Sequence, residues 1–79
     1  QRPLEDIALR ELANAHAAVA RSAMGITEEE LLRQTLRLFN GTRLTDAPRA
    51  RLTAALRLAA QRGQVDVSAG IVMPRDHPR

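Results

Sequence analysis

The sequence predicts a mainly α-helical fold completed by a small β-hairpin, and three observations carry that prediction. Apolar residues recur at three-and-four spacing in three stretches, start and stop residues bracket each stretch, and the last apolar segment switches to strict alternation. With 79 residues the chain makes one domain, 1–79, which buries about 60 to 65% of the surface its unfolded form exposes. That leaves room for one small core and none for a deep substrate cavity.

The first helix is expected over about residues 4–24. Leu9, Leu12, Val19 and Ala23 share one register with His16 and no Pro or Gly interrupts. Pro3 suits the entrance, Glu5 and Asp6 complement the positive end, and Gly25 can supply a left-handed stop. The second helix is expected over about 27–40. Thr27 with Glu30 is a capping-box pair, Leu31, Leu32, Thr35, Leu36 and Phe39 form the buried stripe, and Asn40-Gly41 ends it. Ile26 just before it reads as a staple residue or as one rung of a short strand. Phe39, the only aromatic residue, is expected in the core.

The third helix is expected over about 46–62, with Thr45 or Asp46 as cap, Pro48 in the first turn and Gly63 at the close. Leu52, Ala55, Leu56, Ala59 and Ala60 make its core side. At about 100° per residue, Arg51, Ala54, Arg57, Leu58, Gln61 and Arg62 fall opposite or on the flanks, while Arg49 leaves sideways from the first turn. The period then becomes two. "QVDV", a three-residue turn "SAG" and "IVMP" read as a hairpin over about 64–74, with Val65, Val67, Ile71 and Met73 facing inward. Residues 75–79 read as a frayed tail.

Helix, short strand, helix, turn, helix, hairpin is the element order of a winged helix, a helix-turn-helix variant whose third helix often enters the DNA major groove. The stretch "GITEEELLRQTLRLFNGTRLTDAPRARLTAALRLAAQRGQVDVSAGIVMP" resembles a winged-helix-like C-terminal domain of unassigned function. That domain occurs in large bacterial proteins combining a helicase core with a restriction-endonuclease-like segment. Gly25-Ile26, Phe39, Gly41, Arg43, Leu52 with Leu56, Gly63 and the segment 65–73 carry the resemblance. At the entry, "RSAMG" stands where the family shows an acidic residue, Gly and Pro. The resemblance implies a winged-helix fold and a nucleic-acid-processing parent, and it transfers no functional residue.

Composition narrows the function classes. The chain has no cysteine, which excludes a disulfide scaffold, a thiolate zinc site and a cysteine nucleophile, and it has no apolar run long enough to span a membrane. A soluble, cytoplasmic protein is expected. The first residue is Gln1, so a piece of a longer protein or a processed product is expected. All twelve basic residues are arginine, a bias that fits a GC-rich bacterial genome. Residues 1–40 hold five arginines against six carboxylates, net −1, and residues 41–79 hold seven against three, net +4. Any anion-binding face therefore belongs to the second half.

The candidate DNA-contacting residues are Arg43, Arg49, Arg51, Arg57, Gln61 and Arg62, because arginine forks grip phosphate or a guanine edge bidentately. Arg51 and Arg57 are expected to point outward together, with Arg43 and Arg49 at the turn. Glu28, Glu29 and Glu30 oppose this reading by repelling phosphate near the start of the second helix, and the hairpin tip is uncharged. Successive helical carboxylates diverge by about 100° and cannot share one ion, so the triplet reads as cap and dipole complement. His16 reads as a boundary or core residue, and His77 beside Asp76 makes no metal motif. Ser22 and Ser68 lack a nearby base, and the glycines form no phosphate loop. No catalysis, cofactor, metal or small-molecule substrate is expected. DNA and other domains of a parent protein are the expected partners, the latter through Leu58 and the alanine side of the first helix, Ala8, Ala15 and Ala18.

Overall fold

The computed structural model describes residues 3–75, so residues 76–79 of the expected tail 75–79, with His77, lie outside the described residues, whereas Arg75 is not frayed and bonds to Gln64 and Asp66. A 3-10 turn, Leu4–Asp6, is followed by α1 (Leu9–Ala23), β1 (Ile26–Thr27), α2 (Glu28–Leu38), α3 (Asp46–Gln61), β2 (Val65–Ser68) and β3 (Ile71–Pro74). The strands form one antiparallel sheet in the order β1-β3-β2. The fold is thus mainly helical with a small three-stranded sheet. Ile26 is a rung of that sheet, paired with Val72.

The first helix does not run unbroken from Leu4. The chain is extended at Ile7, with φ −92° and ψ 132°, and α1 begins only at Leu9. The reason is the direction of Ile7. In a continuous helix it would lie five residues before Leu12, about 140° away from the buried stripe, and would face solvent. Breaking the helix instead buries Ile7 to 1% exposure beside Leu12 and Leu52, a gain of about 1.5 to 3 kcal/mol. The buried face of α1 is Leu12, Ala13, His16, Ala17 and Ala20, with Leu9 and Val19 half-buried and Ala23 exposed. Met24, not Gly25 alone, closes the helix in the left-handed region at φ 57°. Gly25 follows at φ 112° and runs under the Met73 side chain, where a Cβ would meet the sulfur.

Helix α2 starts as expected, with Thr27 Oγ1 accepting the Glu30 amide at 3.2 Å. The return half of the capping box is absent. Glu30 Oε2 accepts from Gln34 Nε2 instead. The helix ends at Leu38, earlier than expected, with Asn40 left-handed at φ 66° and the Gly41 amide bonded to the Leu36 carbonyl at 2.9 Å. A Cβ at Gly41 would collide with the Leu36 side chain, so the turn requires glycine by close approach. Phe39 is only half-buried, as a flank of the core beside Leu44.

Helix α3 follows the expected core stripe, with Leu52, Ala55, Leu56 and Ala59 buried and Ala60 half-buried. Thr45 caps it through its backbone position without a side-chain hydrogen bond. At the other end the amides of Gly63 and Gln64 bond back to Ala60 and Ala59. The hairpin differs from expectation by one residue. Its turn is the two residues Ala69 and Gly70, both at positive φ, so Ser68 pairs with Ile71 and Val67 with Val72. A shift of one residue moves a strand's whole side-chain set to the other face. Val72 is therefore buried with Val65, whereas Ile71 and Met73 lie on the outer face and Val67 is 40% exposed near the tip.

Two apolar clusters make the core. One joins the alanines of α1 to Leu31, Leu56, Ala59, Val65 and Val72, and the other joins Ile7 and Leu12 to Leu32, Leu36, Leu52 and Ala55. His16 is fully buried and ties three helices together. Its Nε2–H donates to the Leu52 carbonyl and its Nδ1 accepts from the Thr35 hydroxyl, each at 2.9 Å. A carbonyl can only accept, which puts a proton on Nε2; a hydroxyl can donate or accept, so it is burial that favours the neutral ring with Nδ1 as acceptor. Burial holds the imidazole below its usual pKa of 6.5, with the Leu52 bond pulling the other way.

Candidate nucleic-acid interface

The six candidate residues separate into three groups by the elements that hold them. Arg57, Gln61 and Arg62 lie exposed on the last two turns of α3 and its cap, the first two one helical turn apart. Arg57 lines a groove between α3 and the hairpin with Glu28, Thr53, Leu56, Ala60 and Val67. No acidic side chain among the described residues forms an ion pair with Arg57 or Arg62. Arg43 stands apart. It borders an open cleft of about 650 Å³ with Leu4, Phe39, Gly41 and Pro48, and about 16 Å of helix separates Asp46, at the near end of α3, from Arg57.

Arg49 and Arg51 are already engaged inside the molecule. Arg49 leaves the first turn sideways, as expected, and grips the Glu29 carboxylate with two bonds of 2.7 and 2.9 Å. Arg33 adds a third bond to the same carboxylate at 3.2 Å. The Arg49 bonds chiefly hold Glu29 below the usual carboxyl range and, reciprocally, raise the Arg49 guanidinium. All three groups are solvated, so the network orients α2 against α3 more than it stabilises them. It also neutralises the middle member of the acidic triplet that was expected to repel phosphate.

Arg51 does not point outward with Arg57. Its guanidinium is part-buried and Nη2 donates to the Ile7 carbonyl at 2.7 Å. The helix break explains this: an extended Ile7 has no helical donor for its carbonyl, and Arg51 supplies one from the facing turn of α3. Ala54 and Leu58 are half-buried as well, Leu58 against the alanine cluster. The outward face of α3 is consequently narrower than its periodicity implies.

Two features had no signal in the sequence. One is the pairing of Arg49 with Glu29 across twenty residues; only its Glu29–Arg33 arm, at i and i+4, was readable. The other is the groove beside the hairpin, which depends on the turn length. Among the described residues no group of three or more His, Asp or Glu could hold a metal ion, and no helix is long and apolar enough to cross a membrane. Comparisons with protein-family models, with curated proteins and with solved structures find no match to this chain.

Proposed function

We propose that this chain is a winged-helix domain acting as an auxiliary, low-specificity DNA-binding module of a larger bacterial, cytoplasmic nucleic-acid-processing protein, without catalysis of its own. Its element order and the sheet order β1-β3-β2 support the winged-helix reading, with β2 and β3 as the wing beside α3. The observation that carries the DNA reading is Arg57 and Gln61, exposed one helical turn apart, with the exposed Arg62 at the cap and neither arginine ion-paired among the described residues, on the helix that such domains present to duplex DNA. The resemblance of residues 25–74 to a helicase-associated domain supports the parent's class.

That surface offers only two cations, so affinity is low and the parent's other domains supply the rest. Fluorescence anisotropy with a labelled duplex tests the reading. The logarithm of the binding constant should fall with that of salt with a slope of about −2. Replacing Arg57 and Arg62 by Ala should abolish most binding and flatten the slope. Equal binding by that double variant contradicts the proposal.

A protein-docking reading rests on a different observation. Met24 and Leu38 are 80% and 60% exposed, and Leu38 lines a groove between α1 and α2 with Ala18, Val19, Ser22, Ala23 and Gln34. Of the surface expected for such docking, Ala18 belongs to this groove and Leu58 does not.

A further inference from the structure

Helices α1 and α2 run antiparallel. Leu12 shares one core cluster with Leu32 and Leu36, His16 bonds to Thr35, and Ala17 and Ala20 share the other cluster with Leu31. On their solvent side the two helices leave an open groove of about 540 Å³, lined by Ala18, Val19, Ser22, Ala23, Gln34 and Leu38, none of them charged. Leu38 stands on the α2 wall at 60% exposure, and at the other end Ala23 leads into Met24, which is 80% exposed.

Charge sits just outside the groove, along α2. At about 100° per residue, Glu30, Gln34 and Arg37 fall within roughly 60° of one another on the outward side of that helix. Arg37 is exposed and forms no ion pair among the described residues. Glu30 gives Oε2 to the Gln34 amide and leaves Oε1 open. The two charges are opposite and stand four residues before and three residues after Gln34.

That row is complementary to itself. A two-fold axis through Gln34 lays α2 antiparallel to its copy, sets residue 30 opposite residue 38, and brings Glu30 to within about 1.5 Å along the axis of the copy's Arg37. The same rotation carries each Leu38 to the Ala23 end of the other groove, beside Met24, where small side chains permit close approach. We propose that this groove is the contact between two copies of the chain, with each Leu38 seated in the other copy's groove and Glu30 paired with Arg37 twice across the axis. A purely acidic or purely basic segment fits less well, because it meets one like charge on the row. If each copy gives up about a tenth of its 5009 Å² surface, the pair buries roughly 1,000 Å², the low end for a specific contact, so the dimer is weak. Such a dimer rests on the docking reading above and leaves Arg57 free, since the groove beside α3 shares no residue with this one.

Sedimentation equilibrium of the 79-residue chain over the micromolar to millimolar range tests it and should show a monomer–dimer equilibrium, with a melting temperature that rises with concentration. Leu38→Gln should weaken association about tenfold or more, because each dimer buries that side chain twice. Arg37→Glu and Glu30→Arg should each weaken it about two- to tenfold, as two exposed ion pairs become like-charged, and the double variant, with opposite signs restored, should recover most of the loss. Leu38 lies outside both core clusters, so Leu38→Gln keeps the fold and decides alone if circular dichroism shows a charge variant unfolded. A chain that stays monomeric throughout, association that Leu38→Gln leaves unchanged, or a folded double variant no tighter than the single ones overturns the proposal. Duplex DNA bound by a chain that stays monomeric overturns it too and leaves the DNA reading standing.

Discussion

His16 is the residue on which three helices converge, and its protonation state links stability to pH. The folded protein keeps the ring neutral below its usual 6.5, so the unfolded chain binds a proton that the folded one refuses. The contribution is complete above that pH and is lost as pH falls below it. Denaturant titrations should show lower unfolding free energy at about pH 5 than at about pH 7, with nitrogen-15 shifts placing the His16 titration below that of a free imidazole. Glu29 does not confuse this window, because its carboxyl is held below its usual 4.5 and titrates at more acid pH. Thr35→Val removes the hydroxyl bonded to Nδ1 and should cost about 1 to 3 kcal/mol; an unchanged midpoint would mean the bond contributes nothing. Arg51→Ala should cost about 1 to 2 kcal/mol and leave DNA affinity unchanged, because its guanidinium holds the Ile7 carbonyl. Loss of DNA binding at full stability would instead return Arg51 to the interface. Periodicity placed His16 in the buried register, but its partners lie 19 and 36 residues away, where no local pattern reaches. The period of α3 alone puts Arg51 outward, and nothing in that period shows that the extended Ile7 carbonyl lies within its reach.

The elements were legible wherever local chemistry decides them. Thr27 with Glu30, Pro48, Gly63 and the apolar stripes of α2 and α3 placed two helices to within a residue or two at their ends. The departures come where tertiary packing overrides a local preference. Ile7 breaks a run with good helical composition because burying one isoleucine outweighs about one more turn of exposed helix. The hairpin shifts because Ala69 joins Gly70 at positive φ, which shortens the loop and inverts the faces of β3. The α2–α3 connection depends on Gly41 packing under Leu36. Gly41→Ala should destabilise the domain by about 1 to 3 kcal/mol, as overpacking does, lowering the melting temperature by roughly 4 to 8 °C per kcal/mol. A variant as stable as the parent would show that Leu36 can give way.

Across the whole molecule, charge is divided between side chains engaged within the fold and side chains left exposed. The second half carries a net +4, but Arg49 and Arg51 are engaged by Glu29 and Ile7, and Arg43 stands at the far end of α3. Of the six residues the sequence offers as one surface, Arg57 and Gln61 lie exposed one turn apart at the end of α3, with Arg62 on the cap. A basic count cannot make that distinction, because it depends on which carboxylate or carbonyl each arginine meets across the fold. That end of α3 is proposed to meet duplex DNA. A nitrogen-15 chemical-shift titration of the chain with a short duplex, at low salt and again at high salt, tests it most directly. Salt-sensitive shifts should concentrate on Arg57 to Arg62 and the hairpin, with Arg43 and the Met24–Leu38 surface silent. No shifts at low salt, or shifts gathered around Met24 and Leu38, would contradict it.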